Sequence, residues 1–210
     1  MSTAGDEASA TAKQRRVWDR AAAGYDRMMT RNERWLAADR AWLGRRATGS
    51  VLEVAIGSGA SLPHYPVGAR ITGIDLSPAM LGLSRARAAR LGMSVDLVEG
   101  DAERLPFPDA SFETVACALA LCSIPSPERA IAEMRRVLVP GGRLLLLDHV
   151  PSTWPPIRAV QWLAERCSIP LAGEHFTRRP LPLVEAHGFE IDESARRIAG
   201  IVERLSATKR

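Results

Sequence analysis

The stretch Val51-Leu52-Glu53-Val54-Ala55-Ile56-Gly57-Ser58-Gly59, followed by Gly73-Ile74-Asp75, constrains this chain more than any other. Val51, Leu52, Val54 and Ile56 form the near-continuous apolar run of a strand covered on both faces. Gly57 and Gly59 let the backbone turn sharply after that strand and let a ligand approach it with no Cβ in the way. Asp75 closes a second apolar run, where a nucleotide-binding α/β unit places a carboxylate for ribose hydroxyls. A tight turn with no ligand and a solvated loop acid are the plain structural alternatives.

A dinucleotide site asks for G-x-G-x-x-G, and here Leu62 stands at the third glycine. A short-chain dehydrogenase would add a Tyr with a Lys four residues on. Tyr25 and Tyr65 are the only tyrosines, and Met29 and Ala69 stand at those places. The hydride reading loses both its fingerprint and its catalytic pair.

Further along, the same rhythm repeats. Strands are predicted at about 51–56, 71–74, 95–98, 112–118 and 144–147, and helices over 12–44, after Ser77-Pro78, and after Ser126-Pro127. Each Ser-Pro pair is a helix start, because Ser caps and Pro fits the first turn, where its missing N–H costs nothing. Five strand–helix units imply a doubly wound, Rossmann-like, mostly parallel sheet with helices on both faces and right-handed crossovers. After Val150 prolines break the pattern. Short helices near 157–166 and 180–187, a strand at Gly188-Phe189-Glu190-Ile191 and a last strand near 197–205 bring the sheet to seven strands.

At 210 residues, 46% of them hydrophobic, the chain makes one domain of ordinary size. We expect a disordered tail at 1–12 and a single domain over 13–205, with a helical lid at 13–45 and an acceptor-site insertion at 150–185. The net charge of +4 comes from arginines interleaved with apolar positions, which reads as solvated helix faces rather than a nucleic-acid stripe. Three cysteines form no disulfide framework, and Cys117 and Cys122 lack metal-ligand spacing, so no metal is expected. The expected setting is reducing and cytoplasmic, with no signal peptide and no membrane span, and surface contact with a membrane left open.

Several segments together resemble the class I S-adenosylmethionine-dependent methyltransferases, in their ubiquinone/menaquinone-methyltransferase-like branch. They are the glycine turn, Asp75, Glu99-Gly100-Asp101-Ala102, Ser111-Phe112-Glu113-Thr114-Val115, Pro140-Gly141-Gly142-Arg143-Leu144 and Tyr25-Asp26. Ala55 departs from the family, standing where its first glycine usually is. A narrower likeness, to the small alkyl-thiol methyltransferases of the methyltransferase-like group, rests on Leu121-Cys122-Ser123-Ile124, Asp148-His149-Val150, Ser152-Thr153-Trp154 and Phe176-Thr177-Arg178.

The resemblance implies S-adenosylmethionine as cofactor. It implies that Glu53, Ala55, Gly57 and Gly59 surround the methionine part and that Asp75 takes the ribose. Leu76 and Met80 would pack on the adenine, with Gly100, Asp101 and Ala102 at its edge. Ala118 would lie beneath the cofactor and Tyr25 over it; a core aromatic is the alternative for Tyr25. On the acceptor side His149 is the first choice for proton removal, since an ordinary pKa of about 6.5 suits the task. A structural histidine is its alternative. Asp148 stands beside it and His175 is the second choice. Cys122, Trp154, Trp162 and Phe176, with Leu163 and Met28, are expected to line an acceptor pocket; for Cys122 the alternative is an apolar filler. The expected acceptor is small and apolar, with a thiol preferred. Carbon, oxygen or nitrogen methylation of a quinone precursor, a phenol or a phospholipid-type acceptor is the second reading. A binding protein with no catalytic role is the reading from another class. A monomer or homodimer without nucleic acid is expected.

Overall fold

The computed structural model describes residues 4–210, and within them every side chain except those of residues 4–8 and 26–33. The expected place of Met28 in a pocket therefore lies outside the described side chains.

The apolar runs form one seven-stranded sheet. Its strands are β1 (Ser50–Val54), β2 (Arg70–Asp75), β3 (Val95–Glu99), β4 (Phe112–Ala118), β5 (Leu138–His149), β6 (Phe189–Arg197) and β7 (Val202–Lys209). They lie in the order β3-β2-β1-β4-β5-β7-β6. β1 pairs in parallel with both β2 and β4, so the strand order reverses between β1 and β4. β7 alone runs against its neighbours, pairing antiparallel with β5 and with β6.

Helices α1 (Ala4–Arg46), α2 (Pro78–Leu91), α3 (Pro127–Val137), α4 (Pro155–Ala172) and α5 (Pro180–Ala186) and a 3₁₀ turn at Leu62–His64 complete the fold. The Ser-Pro starts behave as expected: Ser77 Oγ accepts from Met80 N at 3.2 Å, and Ser126 Oγ accepts from Arg129 N at 3.4 Å. Gly92 ends α2 in the left-handed region with φ 65°.

Two cores flank the sheet. Along β5, Leu144 and Leu146 join Leu52, Val54, Ile131 and Met134 on one face. Leu145 and Leu147 join Leu43, Val51, Leu62 and Ile71 on the other. This alternation within a continuous apolar run is what a strand buried on both faces requires.

Three expectations change. The helix begins at Ala4 rather than after a twelve-residue tail, because Ala, Glu and Lys favour helix through this stretch. β5 begins at Leu138, not 144. Its pairing with β4 jumps from Phe112↔Leu138 to Thr114↔Arg143, so Pro140-Gly141-Gly142 forms an irregularity inside the strand rather than a turn before it. α4 runs on through Pro170 to Ala172.

Gly44 sits where α1 crosses the 3₁₀ turn, and a Cβ there would lie 2.1 Å from the His64 carbonyl oxygen. Gly44→Ala should therefore destabilise the protein by about 2–3 kcal/mol through forced backbone movement. Gly82 in α2 has nothing within 4 Å of such a Cβ. Gly82→Ala should add about 0.5–1 kcal/mol. Urea unfolding of the two variants checks the pair.

Candidate functional site

At the carboxyl ends of β1, β2 and β4 the chain opens into a cleft of about 850 Å³ counting its mouth. This is the crevice that strand reversal creates in an open α/β sheet. Its shape depends on Asp75. One carboxylate oxygen accepts from Gly57 N at 2.8 Å, and the other accepts from Ser77 N at 2.9 Å. The acid ending β2 thus ties down the turn after β1 and the cap of α2 together. Burial pushes the Asp75 carboxyl above its usual range, while the Ser77 and Gly57 amides pull it back.

The turn itself is wound in the left-handed region. Ala55, Gly57 and Gly59 have φ of 53°, 57° and 72°. A Cβ on Gly57 would meet nothing closer than Ala55 O at 3.9 Å, so the backbone is open to a ligand there. Gly59 differs. A Cβ on it would lie 2.8 Å from the Leu62 side chain, so this glycine serves packing and does not line the cleft. Ala55 keeps the backbone shape of a glycine at a steric cost. Leu119, just past β4 and also on the cleft, holds φ 58°.

Glu53 projects from β1 into the cleft and is 2% exposed. Burial raises its pKa to about 7, and the Ser61 hydroxyl and Arg40 guanidinium oppose the rise only in part. Arg40 is positioned by donating to Ser61 Oγ at 3.0 Å. Glu53 Oε2 is buried without a hydrogen-bond partner among the described residues. A buried oxygen of this kind is costly unless a ligand donor meets it.

The remaining wall is mixed. Leu76 and Met80 line one side, and Gly100, Asp101 and Ala102 follow β3. Asp101 accepts from Glu103 N at 2.9 Å and from Thr11 of α1 at 3.2 Å. Ala118 ends β4 on the floor. From α1, Gln14, Trp18 and Tyr25 reach over the cleft, with the Trp18 and Tyr25 rings edge-to-face at 5.6 Å. α1 is fastened there by Arg15 to Glu99 at 2.7 Å and by Asp19 accepting from Ser77 Oγ at 2.6 Å. Of the expected cofactor residues, all but Gly59 meet in this cleft.

The acceptor residues divide differently. Cys122, Asp148 and His149 bring their donor atoms within 4.8 Å of one another. Asp148 accepts from Cys122 N at 3.0 Å and from His149 N at 2.7 Å. Burial first, then the Asp148 charge, pushes the Cys122 thiol well up, so it stays protonated. His149 Nδ1 is buried without a hydrogen-bond partner among the described residues, and the ring meets Phe176 edge-on at 6.0 Å. His175 N donates to Cys122 O at 2.9 Å, which pins the loop after α4. Burial, then Arg178, lowers the His175 pKa. These residues cluster beside the cleft but are not among those lining it.

Trp154 and Trp162 are corrected outright. They are 62% and 54% exposed, and neither they nor Leu163 line the cleft. The reason is that Gln161 and Glu165 take the inward positions of α4, bonded to Val150 O and to Thr177.

Sequence reasoning missed Ser84, whose hydroxyl donates to Gly57 O at 2.7 Å. It missed Arg40 and Ser61 behind Glu53, and Glu174, whose carboxyl burial raises and His149 draws down. Only Trp18, one heptad before Tyr25, carried a usable signal.

Two outcomes test this geometry. Ala55→Gly should raise stability by about 0.5–1 kcal/mol, the left-handed cost less glycine's entropy, by urea unfolding. The raised Glu53 pKa means that unfolded chains ionise before folded ones. Its contribution is whole below about pH 4.5 and is lost as pH rises through about 7. The wild type should lose stability over that window with a slope that Glu53→Gln lacks, by unfolding at stepped pH.

Residues 52–146 match the family described as a methyltransferase domain. The phosphatidylethanolamine N-methyltransferase of Cereibacter sphaeroides is 38% identical over 115 residues, which cover 54% of this chain and 57% of that protein. The demethylmenaquinone methyltransferase of Deinococcus radiodurans is 41% identical over 128 residues, covering 55% of this chain and 52% of that protein. The chain spans about half the length of these curated relatives. A solved S-adenosylmethionine-dependent methyltransferase of Thermotoga maritima, described as a possible histamine N-methyltransferase, shares the fold. It superposes with a TM-score of 0.74 at 20% identity, covering 94% of this chain and 100% of that one.

Proposed function

We propose that this chain is a class I S-adenosylmethionine-dependent methyltransferase of the UbiE-like branch and transfers a methyl group to a small, largely apolar acceptor. The observation that carries the reading is the pairing in one cleft of a buried, unpartnered Glu53 oxygen with the Asp75-held turn. Those groups suit the two polar ends of S-adenosylmethionine. Glu53 would receive the α-ammonium, beside the open backbone of Gly57. Asp75 retains lone pairs for the ribose hydroxyls, since a carboxylate oxygen accepts more than one hydrogen bond. Leu76, Met80 and Ala102 offer the apolar slot that an adenine ring fills, and Asp101 stands at its edge.

Bound S-adenosylmethionine supplies an already activated methyl on a positive sulfonium. The chain's own task is alignment, worth about 7–11 kcal/mol when donor and acceptor are held in line. Trp18 and Tyr25 of α1 keep water from the cleft, which favours a step in which charge is lost. On the acceptor side His149, beside the cleft and edge-on to Phe176, is our first choice for the group that takes a proton. Cys122, kept protonated, fills space and supports Asp148.

A thiol acceptor is our first choice. Its own acidity, with a pKa near 8.5, makes it a strong nucleophile with modest help from a histidine. Carbon or nitrogen methylation is the second reading, favoured by the relatives named for demethylmenaquinone and phosphatidylethanolamine. The free cysteines Cys117, Cys122 and Cys167 accord with a reducing, cytoplasmic setting.

Asp75→Ala should weaken S-adenosylhomocysteine binding by about 1.5–3 kcal/mol in calorimetry. Unchanged affinity would remove the ribose assignment. His149→Ala should lower kcat about 100-fold near neutral pH. With a thiol the deficit should narrow as the pH approaches the thiol's own pKa. Labelled S-adenosylmethionine offered with thiols, quinols, phenols and ethanolamine lipids decides the acceptor. Turnover of quinols or lipids but never thiols would establish the second reading.

A further inference from the structure

α4 is turned inside out. Its inward positions are polar. Gln161 Oε1 accepts from Ser152 N at 2.7 Å, Glu165 accepts from Thr177 N at 2.8 Å, and Ser168 Oγ donates to Glu174 O at 2.8 Å. Its solvent face is apolar. Val160, Leu163 and Leu171 are 67%, 62% and 75% exposed, and Trp162 and Ile169 flank them. At 100° per residue, Pro156, Ala159, Val160, Leu163, Ala164, Cys167, Pro170 and Leu171 fill one uninterrupted arc. Soluble helices place their polar side outward, so this face is built to be covered.

Charge says by what. Arg166 borders the arc and stacks on the Trp162 ring at 3.9 Å, and Arg158 borders the flank that Trp162 and Ile169 add to it. The one acidic residue of α4, Glu165, is buried against Thr177. A second copy docked by two-fold symmetry would bring these arginines to a face with no acid to pair them. Trp at the rim, arginine beside it and an aliphatic centre are the composition of a helix lying in a bilayer interface. No helix among the described residues is long and apolar enough to cross a membrane.

We infer that the outer face of α4 docks this protein on an anionic lipid surface. The C-terminal end of α4 abuts the cleft, since Gln14 on the cleft wall donates to Ala172 O at 3.1 Å and Lys13 donates to Pro170 O at 3.3 Å. Docking therefore brings the cleft beside the lipid, and Lys13 adds a third cation there.

The test is co-sedimentation of the full chain with vesicles of phosphatidylcholine alone and of phosphatidylcholine with phosphatidylglycerol. The expected result is binding to the anionic vesicles that weakens with added salt. It should fall about tenfold or more in Arg158→Glu/Arg166→Glu and in Val160→Glu/Leu163→Glu, whose positions are exposed and leave the core untouched. Equal recovery with both vesicle types, or no recovery with either, overturns the inference. So does a concentration-dependent dimer in sedimentation velocity that Val160→Glu/Leu163→Glu dissociates while vesicle binding is absent. Calorimetry with S-adenosylhomocysteine on the same preparations reports on the cleft alone, so a failure of the proposed function is read separately.

Discussion

One carboxylate organises the working end of this protein. Asp75 holds Gly57 N and Ser77 N at once, joining the turn after β1 to the start of α2. That clasp adds to the turn's own bonds, in which Ile56 N donates to Ile74 O and Gly59 N donates to Ile56 O, each at 3.0 Å. Ser84 secures the same turn from the other side by donating to Gly57 O. The strain stored in Ala55 and Leu119 persists because the surroundings over-determine both turns. Leu119 N, for example, donates to Leu147 O at 2.6 Å.

Glu53 shows what the fold gives up for its site. A carboxyl sealed in the interior with one oxygen unpartnered lowers stability whenever it is ionised. Arg40 and Ser61 soften the penalty without removing it. Such an arrangement makes sense when a cationic ligand completes it, and the cleft around Glu53 provides the room. Binding energy and folding energy are therefore linked through one side chain.

The parts legible in the sequence were those whose chemistry is local. β1, β2 and β4 announced themselves because strands buried on both faces leave mostly apolar runs. Ser77-Pro78 and Ser126-Pro127 announced their helices because a cap is written within four residues. Asp75 was legible for the same reason, standing at the end of a strand beside a glycine turn. The two glycines of the turn look alike in sequence, and only the fold shows Leu62 packed against Gly59. Trp154 and Trp162 were misread because tryptophan is usually an inward residue. The polar partners that claim the inner side of α4, at Val150 and Thr177, are distant enough in the chain to leave no trace in a helical wheel. Arg40 and Glu174 reach the site through tertiary contacts alone, and no spacing marks them.

The reversed strand β7 has a consequence for how the chain is made. β7 follows β6 in the chain but lies between β5 and β6. While the polypeptide is being synthesised, β6 therefore emerges before the strand that will hold both its ladder and its place in the sheet. Until β7 pairs with it, β5 presents an open edge of unpaired backbone groups from Arg143 to His149. Completion of the sheet is thus a late event of long sequence reach, of the kind that slows folding and lengthens the interval in which chaperones are useful.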